Sequence, residues 1–138
     1  MSDYQAFNQA LIAEFRANGG KVGGQFAGRP LLLLSTIGAR SGQTRTSPLA
    51  YTTDGEHYVI IASKAGAPAH PDWYRNLVAN PMVTVEVGTE QFQARAIVAE
   101  GVERTRLFDQ MAAQMPVFAE YQRKVERQIP VVVLERLN

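Results

Sequence analysis

Apolar and polar positions change rhythm several times along the chain, and each change marks an element. Tyr4, Phe7, Leu11 and Phe15 recur at helical spacing, Ser2 and Asp3 can cap that helix, and Asn18-Gly19-Gly20 supplies its stop. A helix over about 3–18 is predicted. After the glycine-rich connector KVGGQFAG, the run PLLLLSTIG is short and continuously apolar, as in a buried strand, and ends in a polar loop, ARSGQTR. SPLAYTTDGEHYVIIASK reads as a hairpin, with the turn pair Asp54-Gly55 between stretches rich in Tyr, Val, Ile and Thr. PDWYRNLVANP has the form of a short helix, with Pro71 near its start and Asn80-Pro81 at its end, placing Trp73 and Leu77 on one face. MVTVEVG and EQFQARAIVAE form a second predicted hairpin, in which Val83, Val85 and Val87 alternate with Thr84 and Glu86. VERTRLFDQMAAQMPVFAEYQRKVERQ is helical in pattern, with Pro116 placed to kink or divide it, and IPVVVLERL closes the chain as a strand.

These elements amount to about six strands and three or four helices. Hairpins dominate over βαβ alternation, so the expected fold is mainly β (α+β), a mostly antiparallel barrel with peripheral helices. At 138 residues, with no repeat or linker, one domain over 1–138 is expected. A composition of 46% hydrophobic and 20% charged residues is that of a folded globular chain. The formal charge of +1 argues against a protein coated in basic residues for duplex nucleic acid, so any anion site is local. The absence of cysteine removes thiol nucleophiles and thiolate metal sites, and two histidines make a poor start for a metal centre. No metal is expected. The N-terminal stretch lacks the apolar core of a signal peptide and no later run is long enough to span a bilayer, so the expectation is a cytoplasmic protein without membrane insertion.

Two polar segments carry candidate chemistry. In GARSGQTRTSPL, arginines offer planar paired donors, hydroxyls add neutral donors and Gly42 allows close backbone approach, an inventory suited to an anion and equally to a solvated hairpin tip. In ASKAGAPAHPDWYRNL, Lys64 follows a strand and can reach a ligand from a fixed scaffold. A Ser63-Lys64 hydrolase dyad is disfavoured because neighbours on a strand point to opposite faces. Trp73 is a core candidate, and either it or Tyr74 can wall a flat heterocycle. His70 is read as a loop residue that packs or caps a helix, and Asp72 as a first-turn helix residue. Met115, Phe118 and Tyr121 continue a core-type stripe, although a break at Pro116 could swing that aromatic segment over a pocket mouth.

The loop and the ASK segment, at their spacing within residues 28–88, resemble those of the deazaflavin-dependent nitroreductases, in the flavin-reductase-like split β-barrel group. The resemblance implies a split barrel that binds coenzyme F420, an 8-hydroxy-5-deazaflavin with a phosphate and a polyglutamate tail, and uses its reduced form as hydride donor. By position, Arg40, Ser41, Arg45, Ser47 and Lys64 would hold the phosphate and tail. Pro48, Leu49, Ile61, Ala62, Ser63 and Gly66 would line the ring slot, with Trp73, Tyr74 and Asn76 bracing its far edge. A backbone N–H near Ser63 or Lys64 would stabilise charge on the ring. Nitroimidazole-activating members place several tyrosines in the late helix, whereas this chain has Met115, Phe118 and Tyr121, which argues against nitroimidazole activation; the resemblance implies a quinone or nitroaromatic-like organic acceptor, with Tyr121 as candidate substrate donor. Ala39 stands where a second basic residue often sits. An FMN-binding oxidoreductase of the same barrel group, a non-catalytic carrier of an anionic ligand and a single-strand nucleic-acid binder remain as alternatives, the last opposed by near-neutral charge. A homodimer, and peripheral membrane contact by the first helix, are both compatible with the sequence.

Overall fold

The computed structural model describes residues 3–24 and 27–137. The elements are α1 (Asp3–Ala17), β1 (Leu31–Ile37), β2 (Thr44–Ala50), β3 (Thr52–Asp54), β4 (His57–Ile61), α2 (Asp72–Ala79), β5 (Met82–Val87), β6 (Glu90–Val98), α3 (Gly101–Gln114), α4 (Val117–Lys124) and β7 (Val131–Arg136). The strands form one antiparallel sheet in the order β2-β1-β5-β6-β7-β4-β3. Tyr51 alone separates β2 from β3, so the two edges of the sheet are two halves of one stretch of chain. The sheet must therefore curl until those edges meet, which gives the split β-barrel expected of the sequence. The strand read as continuous over SPLAYTTD is interrupted at Tyr51, raising the strand count from about six to seven among the described residues.

One boundary departs from expectation. β2 begins at Thr44, because every residue of β1 finds a partner, from Leu31 opposite Ala50 to Ile37 opposite Thr44. Arg45, read as part of a loop, is thus a strand residue. Pro48 is tolerated in β2 because this is an edge strand, with one side free of ladder bonds.

The continuous apolar runs of β1 and β4 reflect burial on both faces. Leu32, Leu34, Ile60 and Ala62 face the barrel interior, with Trp73 and Leu77 of α2 packed among them. Leu31 and Leu33 instead meet Leu11 and Phe15 of α1, and Val59 and Ile61 meet Leu107, Met111 and Phe118 of α3 and α4. Each of the buried Leu, Ile, Val, Phe and Met side chains contributes about 1.5–3 kcal/mol by leaving water.

α1 ends as its sequence predicts. Gly19 takes φ +62° and the Gly20 N–H donates to the Phe15 carbonyl at 2.8 Å, the outer bond of a Schellman motif. Gly20, at φ +92°, lies so close to the β5–β6 turn that a Cβ there would stand 2.6 Å from Gly88 Cα. Gly20→Ala should therefore cost at least about 2 kcal/mol in denaturant unfolding, combining backbone strain with overpacking. Gly55→Ala, at φ +61° with nothing within 4 Å, should cost only about 1 kcal/mol.

Candidate functional site

A cleft of about 550 Å³ opens where the barrel is split. β2 pairs with β1 and β4 pairs with β7, so above the β3–β4 ladder the two strands part. Ser47, Pro48, Leu49 and Ala50 line one wall, and Ile61, Ser63, Lys64 and Ala65 line the other. Pro71, Asp72 and Trp73 of the α2 entry, with Val117, Phe118 and Tyr121 of α4, complete an apolar enclosure carrying a few polar groups. That is the usual make-up of a cofactor pocket. The division of the late helical region at Pro116 lets α4 lie over the cleft.

The segment after β4 is the most constrained part of the wall. Ser63 is in the right-handed region, at φ −83° and ψ −32°, whereas Lys64 and Ala65 take φ values of 48° and 54°, followed by Gly66 at 81°. Left-handed backbone costs a non-glycine residue about 1 kcal/mol or more. The right-to-left switch turns successive N–H groups toward a common concavity suited to negative charge. Among the described residues the N–H groups of Ser63, Lys64 and Ala65 have no acceptor. Ser63 is buried and Lys64 exposed, so the two side chains diverge. The strand ends at Ile61, so this divergence, which removes the dyad as expected, comes from the backbone switch and not from a strand pleat. Gly66 sits against α4, where a Cβ would lie 3.4 Å from Tyr121 Cα.

Arg127, in the segment between α4 and β7, holds this turn from behind. Its guanidinium donates to the carbonyls of Ala67 at 3.2 Å, Ala62 at 3.3 Å and Ser63 at 3.0 Å, and lies 3.0 Å from His70 Nδ1. Arginine only donates, so His70 Nδ1 accepts and the ring is neutral, with its proton on Nε2. His70 also packs on Tyr74, with ring centroids 4.7 Å apart. Burial, then the charges of Arg127 and Arg75, hold the His70 pKa below its ordinary value.

The other expected residues fall into distinct places. Ala62 is fully buried behind the wall and exposes no surface to the cleft. Asn76 is also buried; its Oδ1 accepts from the Ala39 N–H at 3.0 Å and its Nδ2 donates to Thr36 Oγ1 at 3.1 Å, so it anchors the β1–β2 hairpin to α2. Ser41 Oγ accepts from the Gln43 N–H at 3.1 Å and so shapes the hairpin turn. Arg40 lies in that exposed turn. Arg45, Ser47 and Leu49 alternate onto one face of β2, opposite Thr36, Leu34 and Leu32. Arg45 therefore lies one pleat, about 7 Å, beyond Ser47 at the cleft wall. Arg40, Arg45 and Lys64 have no side-chain partner among the described residues. Asp72 pairs weakly with Arg75 at 3.9 Å in the first turn of α2. Sequence reasoning missed Asn8 and Arg29, which also line the cleft, and Arg127. Arg127 sits within the charged run QRKVERQ, where nothing distinguishes it from a solvated face.

A split barrel with a slot of this kind defines a flavin-reductase-like cofactor-binding protein. The family model described as F420H(2)-dependent quinone reductase matches residues 9–136. The F420H(2)-dependent quinone reductase Rv1261c of Mycobacterium tuberculosis is 40% identical over 128 residues, 90% of this chain and 86% of the relative. Among solved structures, an F420-H2 dependent reductase (FDR-A) aligns with TM-score 0.72 and 41% identity, covering 78% of this chain and 95% of that one. A structure described as a domain-swapped dimer aligns with TM-score 0.74 and 36% identity, covering 96% and 98%. The chain belongs to the F420H(2)-dependent quinone reductase family, and the resemblance read from its two polar segments is borne out.

The depressed His70 pKa has a definite sign. The folded state holds the neutral ring, so its contribution is complete above about pH 6.5 and is lost as pH falls through the lowered value. Unfolding free energy should therefore decline on acidification from about pH 6.5, and His70→Gln should flatten that decline in denaturant titrations at stepped pH.

Proposed function

We propose that the cleft holds reduced coenzyme F420 with its ring between the β2 wall and the 63–65 turn, and that the chain directs hydride to a quinone acceptor. The single observation carrying this reading is the row of unpaired N–H groups of Ser63, Lys64 and Ala65 on an apolar-walled cleft. The residues fit such a group. Pro48, Leu49, Ile61 and Trp73 offer apolar contact to a flat ring, while Lys64 stands on the cleft itself and Arg45 lies beyond Ser47 in a neighbouring groove beside Asn8 and Arg16 of α1, toward which a charged tail would extend. Reduced F420 supplies a hydride from its 5-position carbon when bound.

The protein's part is placement and field. Ser63, Lys64 and Ala65 N–H groups would hold the reduced ring and stabilise negative charge on it, and they are held in place before any ligand arrives. Lys64 and Arg45 neutralise phosphate and carboxylates, with Arg40 further along the hairpin. Ser47 adds a hydroxyl to the same wall, and Gly66 allows the turn to seat against Tyr121. Tyr121, on the α4 wall, is the donor toward the acceptor's oxygen, and Phe118 and Val117 exclude water beside it. Trp73 backs the ring. Asn76 and Ser41 support the hairpin that carries Arg40. Tyr74 braces His70, one step from the site. Among the described residues no helix is long and apolar enough to cross a membrane. The domain-swapped neighbour supports a homodimer as part of this reading.

Titration with F420 should quench its fluorescence on binding, and reduced F420 should be reoxidised faster by a quinone than by a nitroimidazole. Tighter binding of FMN than of F420 would replace this reading with a flavin enzyme. Lys64→Ala and Arg45→Ala should each raise the F420 Kd about 10–100-fold while leaving unfolding cooperative, the cost of removing one charge-assisted contact. Tyr121→Phe should lower the quinone turnover rate and leave that Kd unchanged.

A further inference from the structure

Resting on the proposed cofactor site, we infer that Arg127 is its positioning residue: one guanidinium, bonded to the carbonyls of Ala62, Ser63 and Ala67 and to His70, sets the left-handed turn that presents the Ser63–Ala65 N–H groups.

Among the described residues the turn's other supports are few: the Ala62 N–H donates to the Pro130 carbonyl at 2.9 Å, and Gly66 sits against α4 beside Tyr121. The turn's own bonds are those from the Gly66 N–H to the Ser63 carbonyl and from the Ala67 N–H to the Lys64 carbonyl, both at 3.0 Å. Lys64 and Ala65 occupy backbone regions that a free chain avoids. A peptide that can relax does so unless something fixes both ends, and Arg127 bonds carbonyls before and after the strained residues. A guanidinium suits the task because its planar donors reach several acceptors at once in fixed directions; an ammonium does not reproduce that fork. Arg127 is only partly exposed, and arginine keeps its charge at any ordinary pH.

Arg127 is itself held. Gln122 Nε2 donates to the Arg127 carbonyl at 2.8 Å, and Gln122 Oε1 accepts from the Ile129 N–H and from the buried Arg104, each at 2.9 Å. Arg104 also donates to the Ile129 carbonyl, at 3.2 Å from Nε. The path from α3 through α4 to the turn is thus continuous hydrogen bonding. Arg127 has no acid partner among the described residues, so its charge is directed at the three carbonyl dipoles.

Two readouts on the full chain separate positioning from general stability. In Arg127→Ala, the free protein's Ser63, Lys64 and Ala65 amide resonances should shift and exchange faster with solvent, while amides of β5 and β6 stay put. The F420 Kd should rise about tenfold or more and be partly restored by added guanidinium ion. Arg127→Lys should give an intermediate Kd, and Arg123→Ala, the loss of an exposed neighbouring cation, should change neither readout. If Arg127→Ala leaves the three amides or the Kd unchanged, or if Arg123→Ala matches its effect, the inference is wrong. Should the alanine variant fail to fold, Arg127→Lys decides by the same criteria. Failure of wild-type protein to bind F420 would refute the functional reading alone, because the amide readout in free protein still decides the role of Arg127.

Discussion

The sheet begins and ends in the same stretch of chain, and that constraint organises the molecule. Residues from Thr44 to Asp54 must pair with β1 through their first half and with β4 through their second. Closure leaves few free strand edges, which removes the usual hazard of an open antiparallel sheet. It also cannot be complete, because β2 and β4 diverge beyond Tyr51 to follow different partners. The gap is unavoidable once the strand order is set, and the cleft is that gap. The free edge of β2, which tolerates Pro48, forms one wall of it.

What fills and shapes the gap comes from the helices. α2 sends Trp73 and Leu77 into the barrel, and Trp73 also lines the cleft. The break at Pro116 redirects the chain so that α3 covers the outer face of β4 and β7 while α4 turns over the cleft. Buried Arg104 stabilises this corner, with its guanidinium stacked 4.4 Å from the Phe108 ring centroid as well as hydrogen bonded to Gln122 and Ile129. The strained turn at residues 63–66 is bonded to this frame, so the groups facing the cleft are ordered at the expense of contacts remote from it.

Much of the fold was legible because its signals are local. Asp54-Gly55 marked a hairpin, the alternation of Val83, Val85 and Val87 marked β5, Asn18-Gly19-Gly20 marked a helix stop, and Pro116 marked the division of α3 from α4. The start of β2 was not legible: Thr44-Arg45-Thr46 is polar enough for a loop and becomes a strand only because β1 offers partners across from it. Within the site, Ser47, Pro48, Leu49, Ile61, Ser63, Lys64, Trp73 and Tyr121 were placed on the cleft by motif and resemblance, and the structure lines the cleft with all of them. Ala62, Ser41 and Asn76 were named for the same site, but they build its supports: a buried wall residue, a turn hydroxyl and a hairpin anchor.

By itself the chain's order of residues determined the elements, the absence of cysteine chemistry, the two polar segments and the family, since turn chemistry, periodicity and motif spacing act between near neighbours. Tertiary structure alone decided that Arg127 reaches back to Ser63, that Arg45 and Ser47 share a face, and that the N–H groups of residues 63–65 are left without acceptors. Each of those outcomes depends on where the barrel closes. A contact across some sixty residues has no local pattern to announce it, because it exists only once the sheet has brought its ends together.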